Sequence, residues 1–338
     1  MTPAIRLKAI ADECGVSVST VSRALAGNLR ISEATRLNIQ RIAVEMGYHP
    51  DAHLSQLMTH LRKNKPSRSA CNLGWLDTWY KPGELRQPWN IGYLLGARER
   101  AAEMGYVLDE ITADELRSQP AAINSILRNR GIGGLILPQF WYDHPVAASL
   151  DWAAYSFVLL DEYSPSLPGT RISAHYLFNT RLAMEKIHAL GYRRPALWIS
   201  EFIDERTARA DSAMFAWTQA NLFPRPSLPI PLQPDNSGLP AFVKKHRPDV
   251  LIVANNRVVD DLKKLGLRVP DDIGVVHLNL ADDVKEWAGI DQQHHRLGSA
   301  AVDSLIAQIQ RHELGVSPSD KHISIPGLWC DGVTVRKQ

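Results

Sequence analysis

The sequence predicts a small all-α helix-turn-helix head followed by a larger α/β core, built as two doubly wound parallel-sheet lobes. Three observations predict it. Within roughly the first 47 residues, three short amphipathic stripes at helical spacing are separated by turn residues. From about residue 70 onward, short apolar runs alternate with amphipathic helices, the punctuation of βαβ units. The length, 338 residues, exceeds one ordinary compact core and suits a small unit plus a large one.

In the head, Leu7, Ile10, Ala11 and Cys14 recur at i, i+3, i+4, i+7 and define a first helix. Gly15-Val16 makes a tight turn, and Ser17 is placed to cap a second helix over Val18–Leu25, with Val21, Ala24 and Leu25 inward. Gly27-Asn28 ends it. Ser32 caps a third helix that buries Ile39, Ile42, Ala43 and Met46 and stops at Gly47, with Glu33 near its positive end. After Pro50, Leu54, Leu57, Met58 and Leu61 repeat the helical stripe, closing in Arg62-Lys63-Asn64-Lys65 and Pro66-Ser67. About ten isolated residues are marginal as a helix in water, so this segment should need DNA or a second copy of itself to order.

In the core, strands are expected at Asn72–Leu76, Val107–Ile111, Gly134–Leu137, Phe157–Leu160, Ala196–Ile199, Val250–Val253 and Gly274–Leu278. Helices are expected at Ile91–Met104, Ala121–Arg130, Leu177–Leu190, Ala208–Ala220, Val258–Leu265 and Leu297–Gln310. Parallel sheets covered on both faces over some 250 residues should split into two lobes with a cleft between them.

Charge is distributed unevenly. The net charge is +2, but residues 1–65 hold nine Lys/Arg against five Asp/Glu, +4, which leaves −2 for the rest. A basic end on a near-neutral body suits a polyanion at one end, and on charge alone a solvated tail would do as well. The cysteines, Cys14, Cys71 and Cys330, form no CxxC pair, so a zinc or redox site is not expected and a reducing cytoplasm is the simpler setting. Met1–Arg6 lacks the apolar segment of a signal peptide, and no apolar run approaches the ~18 residues of a membrane helix. The expected setting is cytoplasmic, with no membrane partner.

The most informative stretch is residues 7–26. Its second helix has a polar face of Ser19, Thr20, Ser22 and Arg23. Short hydroxyls let a backbone approach phosphates, and an arginine can bond a guanine edge bidentately, so this face suits the major groove of double-stranded DNA. An ordinary helical hairpin with a polar surface is the alternative, which the pattern Gly15-Val16-Ser17, Thr20-Val21-Ser22-Arg23 disfavours.

These residues resemble the lactose-repressor/galactose-repressor (LacI/GalR) family. The resemblance continues through Ile31-Ser32, Thr35-Arg36, Gly47-Tyr48, Pro50, Gly191-Tyr192-Arg193-Arg194, Val253-Ala254-Asn255, Val269-Pro270-Asp271-Asp272-Ile273, Asp291-Gln292, Gly298 and Ala301-Val302. It implies a DNA-binding head at residues 1–49, a hinge helix and linker at 50–67, and a two-lobed core at 68–338 like periplasmic binding proteins. It also implies a homodimeric regulator of transcription, a repressor, bound to operator DNA and controlled by a small-molecule effector, a carbohydrate or a derivative of one. By family position Val18, Ser19 and Arg23 would meet base edges. Ser17, Thr20, Ser22, Asn28, Thr35 and Tyr48 would lie along phosphates. Leu57 would be the minor-groove wedge, although Leu54 and Met58 offer other registers, and the stripe could instead pack helix against helix in a dimer. The hinge departs from the family pattern, reading Asp51-Ala52-His53 after Pro50.

For the effector, three positions match the family's polar sugar ligands: Arg209, Asn255 and Asn279. The last stands where an aspartate is usual, and a second usual carboxylate is absent at Phe178-Asn179. In parallel sheets ligands gather beyond the carboxyl ends of strands. The first lobe offers Trp79, Trp89 and Tyr93, with Gln139, Phe140 and Trp141 after its third strand. Each could stack on or bond a sugar ring, or belong to core or rim.

No catalytic signature is present. Gly131-Ile132-Gly133-Gly134 precedes a strand, whereas a dinucleotide loop follows one, and neither GxxxxGK nor GxSxG occurs. No cofactor or metal is expected, and the adjacent His294-His295 read as surface or rim residues. The alternative from another class is a cytoplasmic small-molecule binding protein or enzyme on the same α/β core.

Overall fold

A computed structural model describes residues 7–25, 31–46, 72–78, 86–112, 120–138, 145–161, 167–224, 226–232, 235–316 and 321–338. The expected segment 50–67 and the candidate residues Asn28, Tyr48, Leu57, Trp79, Gln139 and Trp141 lie outside the described residues.

The head holds α1 (Leu7–Cys14), α2 (Val18–Leu25) and α3 (Glu33–Glu45). Ile10, Ala11, Val21, Ala24, Ile39 and Ala43 form its buried centre, the apolar positions that the helical spacing assigns inward. Ser17 and Ser32 cap their helices: Ser17 Oγ accepts from the Thr20 amide at 3.1 Å, and Ser32 Oγ from the Thr35 amide at 3.3 Å.

The first lobe of the core is a six-stranded sheet in the order β10-β5-β4-β3-β1-β2. Its strands are β1 (Asn72–Leu76), β2 (Val107–Ile111), β3 (Ile132–Pro138), β4 (Ser156–Leu160), β5 (Thr170–Ala174) and β10 (Lys321–Ile325). Every pairing in it is parallel. The helices around it are α4 (Pro88–Glu103), α5 (Ile123–Asn129), α6 (Pro145–Ser149) and α12 (His294–Arg311). Trp75, Tyr93, Ile136, Val158 and Leu305 anchor a core on one face of the sheet; Leu76, Ile123, Leu135 and Phe157 anchor one on the other.

The second lobe is a five-stranded sheet, β11-β9-β8-β7-β6. It comprises β6 (Pro195–Trp198), β7 (Val250–Val253), β8 (Gly274–His277), β9 (Gly289–Asp291) and β11 (Leu328–Cys330). Helices α7 (Tyr176–Ala189), α8 (Glu201–Arg206), α9 (Ala210–Leu222), α10 (Leu239–His246) and α11 (Val258–Lys264) accompany it. β11 pairs antiparallel with β9, so this sheet is not wholly parallel.

The expected strands and helices are present within a few residues at each end. Four further strands, β5, β9, β10 and β11, and three further helices, α6, α8 and α10, are added. The additions are short or polar: β9 is three residues and β10 reads Lys-His-Ile-Ser-Ile on a sheet edge, so neither carries the continuous apolar run of a central strand. The chain passes between lobes after β5, after β9 and after β10, so neither lobe is one continuous segment. Helices α4 and α12 cross closely in the first lobe, at Gly96 against the His295 carbonyl and at Gly298 against the Tyr93 carbonyl.

Candidate functional site

In the head, the Ser17 and Thr20 hydroxyls are 2.8 Å apart at the start of α2, and Val18 is 43% exposed beside them. Ser19, Ser22 and Arg23 belong to the same helix, whose buried stripe is Val21 and Ala24. The half-buried Thr35 shares a 2.7 Å hydroxyl contact with Ser32 at the start of α3. Two hydroxyl-bearing helix starts thus stand together on one small bundle. Backbone amides and a positive dipole end make such starts ready partners for phosphate oxygens.

In the core, a cleft of about 430 Å³ opens beyond the carboxyl ends of β6, β7 and β8. Topology alone makes this the expected ligand position of a parallel sheet. Trp89 and Tyr176, from the first-lobe core, and Trp198 and Phe202 from the second line it with aromatic surface. Asn255 and Asn279 line it as well, following β7 and β8. The Asn255 Oδ1 accepts from the Arg257 amide at 2.8 Å, which fixes the side chain and leaves Nδ2 with a 3.4 Å contact to Asn236. Asn279 Oδ1 accepts from His294 Nε2 at 2.6 Å.

Arg209 requires a correction. It does not line the cleft; it caps α9 in a left-handed conformation, φ 59°, with its side chain 54% exposed beside Glu205 and Asp204. The arginines that line the cleft are Arg206 and Arg257; Arg206 stands there in place of Arg209 because α8 and the left-handed pair Ala208-Arg209 turn the chain back on itself. A sequence reading that runs one helix through residues 208–220 cannot see that reversal. Tyr93 is likewise corrected: at 1% exposure it is core, packed edge-on against Trp89 and His294 beneath the cleft. His294 is buried rather than on the rim, while its neighbour His295 is exposed and bonds Glu99 at 2.8 Å.

The carboxylates missing at the family positions are supplied elsewhere. Asp211 and Asp235 both line the cleft. Burial pushes the Asp211 carboxyl up to about 6, against a 2.6 Å bond from the Thr180 hydroxyl that favours its charged form. Asp235 is open to solvent and held low by Ser237, whose amide donates to it at 2.8 Å. Burial also lowers His277 and His294 to about 4, so both imidazoles are neutral at pH 7. His277 Nδ1 accepts from the Asn279 amide at 3.1 Å, which places its proton on Nε2. Three buried polar atoms of cleft-lining residues have no hydrogen-bond partner: Arg206 Nε, His277 Nε2 and Gln292 Oε1. Donors and acceptors are mixed, the walls are aromatic, and the lining sets Arg206 and Arg257 against Asp211 and Asp235. Sequence reasoning missed Arg206, Asp211 and His277 because none of them stands in a motif, and it read Gln292 as part of the Asp291-Gln292 motif without placing it in the cleft; their residence there follows from turns and strand ends.

Among the described residues no group of three His, Cys, Asp or Glu could hold a metal ion, and no helix is long and apolar enough to cross a membrane.

Comparison with known proteins bears on both sites. Residues 6–51 match the family described as bacterial regulatory proteins, lacI family. The transcriptional regulator KdgR of Bacillus subtilis is 23% identical over 327 residues, covering 90% of this chain and 91% of that protein. The transcriptional repressor PurR of Glaesserella parasuis is 22% identical over 322 residues, covering 90% of each. Among solved structures, a transcriptional regulator CelR–cellobiose complex superposes with a TM-score of 0.60 at 18% identity, over 98% of this chain and 99% of that one. The Lac repressor dimer bound to operator and the anti-inducer ONPF gives a TM-score of 0.57 at 21% identity, with the same coverage. At such identities the structural likeness establishes the fold.

Proposed function

We propose that this chain, whose residues 6–51 match the lacI family of bacterial regulatory proteins, is a cytoplasmic, homodimeric repressor of transcription whose operator affinity is set by a carbohydrate held between the core lobes. The observation that carries the reading is the pairing of two sites in one chain: a capped helix-turn-helix start and an aromatic-walled polar cleft. The division into a head at 1–49, a hinge helix and linker at 50–67 and a core at 68–338 belongs to the same reading. So does its class, a regulator rather than an enzyme, which is supported by relatives that are transcriptional regulators.

In the head, Val18, Ser19 and Arg23 read base edges. Ser17, Thr20, Ser22, Asn28, Thr35 and Tyr48 hold phosphates, and Leu57 is the wedge. Binding selection from a random duplex pool identifies the operator, and Arg23→Ala is expected to cost about 1–3 kcal/mol on it while relaxing preference at one base pair per half-site. Coincident selection profiles for wild type and Arg23→Ala would remove Arg23 from the interface. The dimer is supported by α4, whose Ile91 and Leu95, one turn apart, stay 42% and 47% exposed.

In the core, Asn255, Asn279, Arg206, Asp211 and Gln292 bond ligand hydroxyls, and Trp89 stacks on the ring, joined by Trp79, Gln139 and Trp141. Mixed donors and acceptors with balanced charge fit a hydroxyl-rich molecule better than a polyanion, which would call for a cluster of free cations. A thermal-shift panel of monosaccharides, disaccharides, polyols and organic acids is expected to give a saccharide hit. Asn255→Ala and Asn279→Ala should abolish the shift and leave operator binding by the free protein intact. A polyanion as the sole hit would overturn the carbohydrate reading.

A further inference from the structure

The amino ends of β6, β7 and β8, opposite the cleft, carry a concentration of positive charge built from three separate segments. Arg193 and Arg194 lead into β6, Lys244, Lys245 and Arg247 lie at the end of α10, and Lys337 follows β11. Hydrogen bonds hold the three segments together. The Arg193 and Arg194 amides donate to the Asp249 carboxylate at 2.6 and 2.9 Å. The Arg194 guanidinium donates to the His246 and Arg247 carbonyls at 2.6 and 3.2 Å. The Gln338 amide donates to the Leu190 carbonyl at 2.8 Å and the Arg336 amide to the Tyr192 hydroxyl at 3.1 Å, which brings Lys337 alongside.

All six cations are exposed, and among the described residues none of them forms an ion pair. Asp249, in their midst, has both carboxylate oxygens engaged by backbone amides. The neighbouring Asp271 and Asp272 are matched by Arg268, at 3.6 and 2.9 Å. The excess is local, because everything beyond residue 65 sums to −2. A helix end favours cations near its last carbonyls, which accounts for Lys244 and Lys245 and for the position of Arg194. It does not account for Arg193 or Lys337, which the other two segments bring to the same place.

Protein–protein interfaces centre on apolar and aromatic side chains and are poor in lysine. Here half of the cations are lysines, and across residues 190–194, 239–249 and 335–338 no large apolar side chain is exposed. Such a surface suits a phosphodiester backbone, whose charge Lys and Arg meet without reading sequence. The head joins the core at the amino end of β1, in the other lobe, so this pole and the head are separate surfaces. We propose that the pole is a second, sequence-independent site for double-stranded DNA, so that a molecule whose head holds one duplex grips another with the end of its second lobe away from the cleft. The DNA contact stands on the charge of the pole; only its rank as a second site rests on the reading of the head.

The test mixes the full chain with a biotinylated duplex and a fluorescent duplex of unrelated sequence, and reads the fluorescence carried to streptavidin beads at about 50 and about 200 mM salt. Wild type is expected to carry the fluorescent duplex at the lower salt and to lose it at the higher, since several phosphate contacts weaken together by about 10³-fold over that range. The triple variant Lys244→Gln, Lys245→Gln, Lys337→Gln removes three exposed charges that hold no other group in place. It should carry at least about tenfold less fluorescent duplex while still binding the biotinylated one, and Arg at the same three positions should restore the wild-type result. No fluorescent duplex carried by wild type at the lower salt would overturn the proposal, and retention of wild type on polyglutamate beads in that case would put an acidic polypeptide in place of DNA. Equal bridging by wild type and the Gln variant would assign it to two heads of a dimer and also overturn the proposal. Loss of the biotinylated duplex as well in the Gln variant would keep the pole as a DNA site and bring down the reading of the head.

Discussion

Gly298→Val is expected to destabilise the core by about 3–5 kcal/mol, an effect at the upper end for a single substitution. A Cβ at Gly298 would lie 2.0 Å from the Tyr93 carbonyl oxygen and 2.9 Å from the Ala97 amide nitrogen. The obstacle is backbone, so no rotamer change can relieve it. Helix α12 would have to withdraw from α4, and with it the packing of Leu297, Ala301 and Val302 against Tyr93 and Ala97 in the first-lobe core. Gly105→Ala is the control. It follows α4, has φ 78°, and a Cβ there meets nothing within 4 Å, so only about 1 kcal/mol of backbone strain should appear. Urea unfolding of the three proteins decides the matter; a Gly298→Val midpoint within the range of Gly105→Ala would mean the helix crossing is loose.

Acid is expected to weaken the core chiefly through two buried histidines. Burial holds His277 and His294 neutral down to about pH 4, whereas in the unfolded chain each takes up a proton near pH 6.5. The stability each contributes is complete above pH 6.5 and is lost as pH falls towards 4, on the order of 3 kcal/mol per histidine. Asp211 opposes them. Its folded carboxyl binds a proton near 6, above its unfolded value of 3.8, so it is least costly at low pH and returns about 2 kcal/mol over the same window. His277→Asn keeps an acceptor for the Asn279 amide and removes the titration, so it should flatten the pH dependence by about 3 kcal/mol. Asp211→Asn should steepen it by about 2 kcal/mol. Unfolding free energies measured at pH 7, 5.5 and 4 read both signs at once, and an unchanged slope in His277→Asn would show that its imidazole is hydrated in the folded state.

Much of the fold is legible in the residues because local chemistry repeats it. Ser17 and Ser32 announce the starts of α2 and α3, and the spacing of Ile10, Val21 and Ile39 assigns the head's centre. Apolar runs such as Val250–Val253 mark central strands, since a strand buried on both faces cannot afford a polar position. The edge strands β10 and β11 escape notice for the converse reason: half their residues face water, and their place in a sheet is set by partners far along the chain.

The cleft divides along the same line. Asn255 and Asn279 stand directly beyond strands whose positions the pattern already assigns, so their neighbourhood follows from topology. Arg206 and Arg209 are three residues apart on a polar segment, and no periodicity tells which of them turns inward. That choice is made by the left-handed Ala208 and Arg209 and by the fit of Arg206 between Asp161 and Trp89, contacts separated by 45 residues or more of chain. By itself the sequence determined a helix-turn-helix head, an alternating α/β core and the strand ends where a ligand would gather, because capping, periodicity and apolar runs act over a few neighbouring residues. Only the tertiary structure decided which arginine enters the cleft, which carboxylates accompany it and which histidines lose their charge, because burial and ion pairing depend on atoms that the chain brings together only when both lobes are formed.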